Sequence, residues 1–273
     1  LALVEEVLMR RRSGLLVVMG VAALLGACGG GGGGGSTTAS SGGDTGGGGT
    51  VTPTPTPVPT VAAGWWNGST TDHRTLTGLV FADGSFSILY SAQDAPDSVA
   101  GLVQGSGAGV DGAFASTDAI DFRLADGTVT TTPFSATAVA QQHFDGSLFD
   151  DALGFTTTYN PAYERTASLD DVAGSYQAQL ARPDDSLVAT LTIDAQGVLT
   201  GTGTGCRIDG SLAPRSDAKA YGIVLALTGD DCSSNGLAFS GIAFVDADTG
   251  SLYVMAPNAD RSDALMVRAA RSD

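Results

Sequence analysis

Seven Asp-Gly or Asn-Gly pairs punctuate the chain beyond residue 64: Asn67-Gly68, Asp83-Gly84, Asp111-Gly112, Asp126-Gly127, Asp145-Gly146, Asp209-Gly210 and Asn235-Gly236. Such a pair favours the positive φ angles of a tight hairpin turn, so each is expected to join two short antiparallel strands. Between them lie alternating or β-branched runs at 75–81, 85–90, 189–193, 221–227, 237–245 and 251–255. No comparable stretch keeps a 3.6-residue apolar period with capping residues. Composition points the same way. Glycine accounts for 39 of 273 residues and only 15% are charged; beyond Cys28 there is one glutamate, Glu164, and one lysine, Lys219. The acid is supplied by aspartate, which favours turns over helix interiors. The expected fold is all-β and antiparallel, two tandem small barrels or sandwiches that hide their strand edges, after a disordered N-terminal tether.

An internal repeat divides the β-rich region. Ala63-Gly64-Trp65-Trp66 returns as Ala173-Gly174-Ser175-Tyr176, and the run from Thr75 through Asp83-Gly84-Ser85-Phe86 matches that from Thr190 through Gln196-Gly197-Val198-Leu199. The offsets nearly agree, 110 from Gly64 to Gly174 and 113 from Gly84 to Gly197. Two units are therefore expected, at 64–165 and 166–273, each with room for about eight short strands. The joint falls at 161–171. Convergent patterning of hairpin-rich chains is the alternative to duplication.

The first sixty residues carry different information. A short basic segment, 9–12, precedes an apolar run at 14–26, about 13 residues or roughly 20 Å as a helix. A spanning helix needs about 20 apolar residues, so the pattern is that of an export signal, with translation expected to start at Met9. Its end, Leu25-Gly26-Ala27-Cys28, resembles the lipobox of bacterial lipoproteins: an aliphatic residue, two small ones, then the cysteine that is acylated. An ordinary secretory signal with a chance cysteine is the alternative. The resemblance implies cleavage of 1–27, a triacylated Cys28 and stable membrane anchoring through several acyl chains. Gly29 stands where an aspartate would imply inner-membrane retention, so the family implies the outer membrane.

Residues 28–63 continue as Gly, Ser and Thr, then the repeat Thr52-Pro53-Thr54-Pro55-Thr56-Pro57, which cannot build a core. They read as flexible coil followed by an extended rod of about 3.1 Å per residue. A phosphate loop would need a preceding strand and a following helix with Lys-Ser/Thr, and neither pattern is present. The formal charge of −16 becomes −17 without 1–27, which carry Arg10, Arg11 and Arg12 against Glu5 and Glu6. No basic run follows Arg12, so nucleic acid is not an expected partner, and attachment to a membrane must come from lipid on Cys28 rather than a basic face.

Gly64-Trp65-Trp66-Asn67-Gly68 resembles the first strand of avidin-type or lipocalin-type barrels, which implies an interior pocket for a small ligand. Trp65 and Trp66 plugging a barrel bottom is the alternative. With Cys28 lipidated, Cys206 and Cys232 remain as an even pair in an oxidising compartment, where a disulfide closing 26 positions would stabilise by roughly 3 to 4 kcal/mol. Free thiols or a metal site are the other readings.

Catalytic patterns are scarce. His73 follows Asp72 in a polar loop, and His143 beside Gln141, Gln142 and Phe144 reads as a half-exposed strand residue. Asp246-Ala247-Asp248-Thr249-Gly250 alternates like a calcium loop but lacks its distal glutamate, so a hairpin turn is expected. No cofactor or metal is implied. The sequence predicts a lipid-anchored binding or structural module of the cell envelope, without a recognisable catalytic site. Its protein, glycan or small-molecule partner and its periplasmic or surface orientation stay open. A small-ligand barrel and an envelope hydrolase using paired aspartates are the alternatives.

Overall fold

A computed structural model describes residues 61–149 and 152–272. The described chain is almost entirely antiparallel β-structure, in two consecutive sheets. The first comprises β1 (Gly64–Thr70), β2 (Thr75–Val80), β3 (Ser85–Tyr90), β4 (Gly101–Ser106), β5 (Ala108–Val110), β6 (Ala113–Ser116), β7 (Ile120–Arg123), β8 (Val129–Thr131), β9 (Phe134–Val139), β10 (His143–Leu148) and β11 (Leu153–Asn160). A 3-10 turn (Pro161–Glu164) and a one-turn helix α1 (Leu169–Val172) lead into the second sheet. That sheet is built from β12 (Gly174–Arg182), β13 (Asp185–Ile193), β14 (Val198–Gly203), β15 (Cys206–Pro214), β16 (Tyr221–Thr228), β17 (Ala238–Val245), β18 (Leu252–Pro257) and β19 (Ala264–Ser272).

The second sheet is a closed eight-stranded meander, with β12 paired to β19. The first is a curled eleven-stranded sheet running β5-β6-β9-β10-β11-β1-β2-β3-β4-β7-β8. Its eleven segments amount to eight legs, because β4 continues into β5, β6 into β7 and β8 into β9, while β4 pairs with β7 and β5 with β6. Ala108 faces Ala115, yet Gln104 faces Ile120; likewise Ser116 faces Phe134, yet Ile120 faces Thr131. Both pairings place one extra residue within 117–119, a β-bulge that bends the leg. In leg order the two sheets share one plan, first leg paired with last.

The matched segments of the internal repeat occupy corresponding places. Gly64 opens β1 and Gly174 opens β12, while Gly84 and Gly197 stand in the turns after the second legs, at φ of 85° and 81°. Both turns carry the same backbone bonds: Phe81 N donates to Ser85 O and Gly84 N to Phe81 O, as Asp194 N does to Val198 O and Gly197 N to Asp194 O.

Not every predicted turn is one. Asp83-Gly84, Asp111-Gly112, Asp126-Gly127 and Asn235-Gly236 lie in turns, but Asn67-Gly68, Asp145-Gly146 and Asp209-Gly210 lie inside β1, β10 and β15. At Gly68, Gly146 and Gly210 a Cβ would run into the carbonyl oxygens of Thr156, Ser135 and Val224 on the neighbouring strands. There glycine serves close backbone approach in a strongly coiled wall, not a positive φ.

Both interiors are filled. Unit 1 packs Trp66, Phe86, Phe114, Phe134, Phe144 and Phe155 against one another, with Phe86 and Phe134 stacked at 4.8 Å. Unit 2 is lined by aliphatics such as Leu180, Leu191, Leu199, Ile208 and Leu225. Its end is plugged by α1, where the Tyr221 hydroxyl donates to Ser168 O (2.6 Å) and Arg271 Nη2 donates to Asp171 O (2.7 Å). A third core joins the units: Trp65, Leu79, Leu102 and Phe122, from the outer face of the first sheet, meet Phe244, Met255, Ala264 and Met266 of β17–β19. Strands that face both cores have no exposed side, so β3 and β18 are buried along nearly their whole length, whereas burial alternates along β9 and β13.

Candidate functional site

Alternation along β1 separates the two tryptophans. Trp66 points into unit 1, its Nε1 donating to Ala62 O (2.8 Å), while Trp65 points the other way and meets Phe244 edge-on at 4.7 Å. Only Trp66 can fill a barrel, because consecutive strand residues face opposite sides. With side chains filling both interiors, the groups able to meet a partner lie on walls, at loop ends and along the joint.

At one end of unit 1 the Tyr90 hydroxyl donates to Asp121 Oδ1 (2.8 Å) and Arg123 Nε donates to Asp121 Oδ2. The Arg123 guanidinium lies over the Phe149 ring at 4.8 Å. Asp121 is the one fully buried carboxylate among the described residues. Burial raises its pKa, and the bonds from Arg123 and Tyr90 only partly oppose this. Burial, reinforced by the Asp121 charge, likewise holds Tyr90 far above an ordinary phenol. The carboxylate's hydrogen-bond partners are an arginine and a tyrosine, a tie across β3 and β7, while the charge of Asp126, whose own carboxylate accepts from Thr128, adds to the upward push.

The joint offers a different arrangement. A cleft of about 280 Å³ opens between the units, lined from unit 1 by Asn67, Thr75, Thr77, Ser91 and Ser98 and from unit 2 by Asp246, Tyr253 and Arg268. Asn67 Oδ1 accepts from Trp65 Nε1 (3.1 Å) and Thr77 Oγ1 (2.8 Å), which turns its amide nitrogen away from that pair. Tyr253 stacks on Phe244 at 5.0 Å with the Arg268 guanidinium above its ring. Arg268 also clasps the 91–99 loop, donating to Pro96 O (3.2 Å) and Asp97 Oδ1 (2.8 Å). Burial lifts the Tyr253 pKa despite the nearby Arg268 charge, so the hydroxyl stays protonated and able to donate. The joint core beneath fixes the cleft's width, and binding sites concentrate at such junctions.

Cys206 and Cys232 form a disulfide that ties the start of β15 to the turn between β16 and β17. His73 lies exposed in the β1–β2 loop, its Nδ1 3.1 Å from Asp94 Oδ1, and His143 is a half-exposed residue opening β10 with Nδ1 3.3 Å from Asp145 Oδ2. They belong to separate places on unit 1. Asp246-Gly250 is the β17–β18 turn, where Gly250 N donates to Asp246 O (2.8 Å). No group of metal-ligating side chains occurs among the described residues, and no described helix is long and apolar enough to cross a membrane. Cys28 and the tether to residue 60 lie outside the described residues.

Asn67, Tyr253 and Arg268 are not legible as a set in the sequence, since only the packing of two units brings Asn67 together with Tyr253 and Arg268. One signal was available: Arg268 interrupts the apolar run Ala264-Leu265-Met266-Val267 and Ala269-Ala270. The fold and joint define an all-antiparallel β-protein in which a curled sheet is followed by a closed eight-stranded barrel. No family model matches this chain, nor does any curated protein or solved structure.

Proposed function

We propose that this chain is a lipid-anchored binding module of the bacterial cell envelope, held through Cys28 at the outer membrane and acting by its outer surfaces and joint rather than through an enclosed pocket. The carrying observation is that aromatic side chains fill unit 1 and aliphatic ones fill unit 2, which leaves walls, loops and joint as the recognition surface. The lipobox-like Leu25-Gly26-Ala27-Cys28 supports the anchor. The tether, 28–63, would lead into unit 1 at the start of β1, at the end opposite the 71–74 turn.

The interior-ligand alternative is disfavoured by those filled cores. The paired-aspartate alternative is disfavoured because Asp121 pairs with Arg123. Fractionation of cells carrying Cys28→Ser tests the anchor: the protein should leave the membrane fraction, and retention there would overturn the proposal. Protease treatment of intact cells then distinguishes surface from periplasmic orientation.

A further inference from the structure

We infer that the cleft between the two units is a binding site for a single neutral pyranose ring, recognised by Asn67, Asp246, Tyr253 and Arg268. The inference stands on the joint's geometry and does not depend on the anchor.

Size sets the first limit. The cleft holds about 280 Å³, room for about nine waters at about 30 Å³ each, just under the usual range of small-molecule pockets. That suits one six-membered ring and not an extended chain.

Charge sets the second. Arg268 and Asp246 are the ionic groups in the lining, and their charges cancel. A carboxylate would have to displace Asp97 from Arg268 and sit beside Asp246; a cation would face Arg268. A neutral ligand avoids both costs.

Hydrogen-bonding capacity sets the third. The Asn67 Oδ1 is occupied by Trp65 and Thr77, but no described residue accepts from its Nδ2. Asp246 accepts from Asp248 N and Thr249 Oγ1 within its own turn, one bond to each oxygen, and each oxygen keeps further acceptor capacity. The Tyr253 hydroxyl shares a hydrogen bond with Arg268 and keeps its own proton to donate, while Arg268 bonds Pro96 and Asp97 through Nη1 and Nη2. An amide, a carboxylate, a phenol and a guanidinium around one small volume offer donors and acceptors in alternation. Adjacent sugar hydroxyls, each both donor and acceptor, match that set.

Asn67 links the site to a spectroscopic reporter. The chain has two tryptophans, and only Trp65 donates its indole N–H to Asn67; Trp66 donates to Ala62 inside unit 1. In the ¹⁵N-labelled full chain, titration with methyl glucopyranoside, methyl galactopyranoside or methyl N-acetylglucosaminide should shift the Trp65 indole resonance. For at least one glycoside the shift should saturate in the millimolar range and leave Trp66 unmoved. Tyr253→Phe keeps the ring on Phe244 and removes only the hydroxyl, and should weaken that binding about tenfold. Sodium acetate at the same concentrations should have no effect. Absence of a Trp65 shift with all three glycosides, an equal shift with acetate, a shift of Trp66 matching that of Trp65, or undiminished binding by Tyr253→Phe would each overturn the inference.

Discussion

Arg261 and Asp118 meet twice across the joint: Arg261 Nη2 donates to the Asp118 main-chain carbonyl at 2.8 Å, and Nη1 donates to its carboxylate at 3.3 Å. The same Nη2 donates to Gln104 O at 2.7 Å. Asp118 stands in the bulge that interrupts the fifth leg of unit 1, and Arg261 tips the turn between β18 and β19 at a φ of 57°. A register irregularity in one unit is thus the socket for a turn of the other. Removing the guanidinium by Arg261→Ala leaves two carbonyls short of a donor and should cost about 2 kcal/mol. Urea unfolding of the variant checks this, and unchanged stability would show that the apolar joint core suffices alone.

Asp118 should also give the joint an acid limit. Burial pushes its carboxyl up, but the Ser106 amide, the Ser116 and Ser106 hydroxyls and Arg261 outweigh it and hold the folded pKa below 3.8. For a depressed acid the added stability is present above the unfolded value and is lost as pH falls through the folded one. Wild type should therefore melt above Asp118→Asn near neutrality, with the gap closing below pH 3.8. A gap that is constant with pH would remove the electrostatic part of the contact.

The two corresponding turns make a paired prediction. At Gly84 and Gly197 the φ is positive and a Cβ would meet the carbonyls of Gly107 and Leu212. Ala at either should cost about 2 kcal/mol or more. Gly236 has a φ of 82° but open space around it, so Gly236→Ala should cost only about 1 kcal/mol. Thermal melts of the three variants check the order, and equal losses would mean that the close approach contributes nothing.

Loss of the Cys206–Cys232 bridge by paired serine substitution should destabilise by about 3 kcal/mol, from the freedom returned to a loop of separation 26 in the unfolded chain. Calorimetry with and without reductant measures it. Wild type in reductant should fall to the level of the variant.

Much of this architecture is legible in the residues. The strand runs at 85–90 and 221–227 coincide with or lie within β3 and β16, and the Gly84 and Gly197 correspondence marks equivalent turns. Asn67-Gly68, Asp145-Gly146 and Asp209-Gly210 misled because local turn chemistry and close strand approach both select glycine, and only the neighbouring strand distinguishes them. The joint core was hidden for a related reason. Trp65, Phe244 and Met266 look like ordinary core residues, and nothing local says that two sheets share them. The cleft was less legible still, since Asn67, Tyr253 and Arg268 sit in different strands and acquire a common purpose only after docking.

Mass spectrometry of the protein extracted from its native membranes decides whether Cys28 carries the proposed lipid. The expected N-terminal peptide begins at Cys28 and carries the mass of a diacylglyceryl group and an amide-linked acyl chain. A soluble mature form that begins elsewhere, or an unmodified Cys28 thiol, would contradict it.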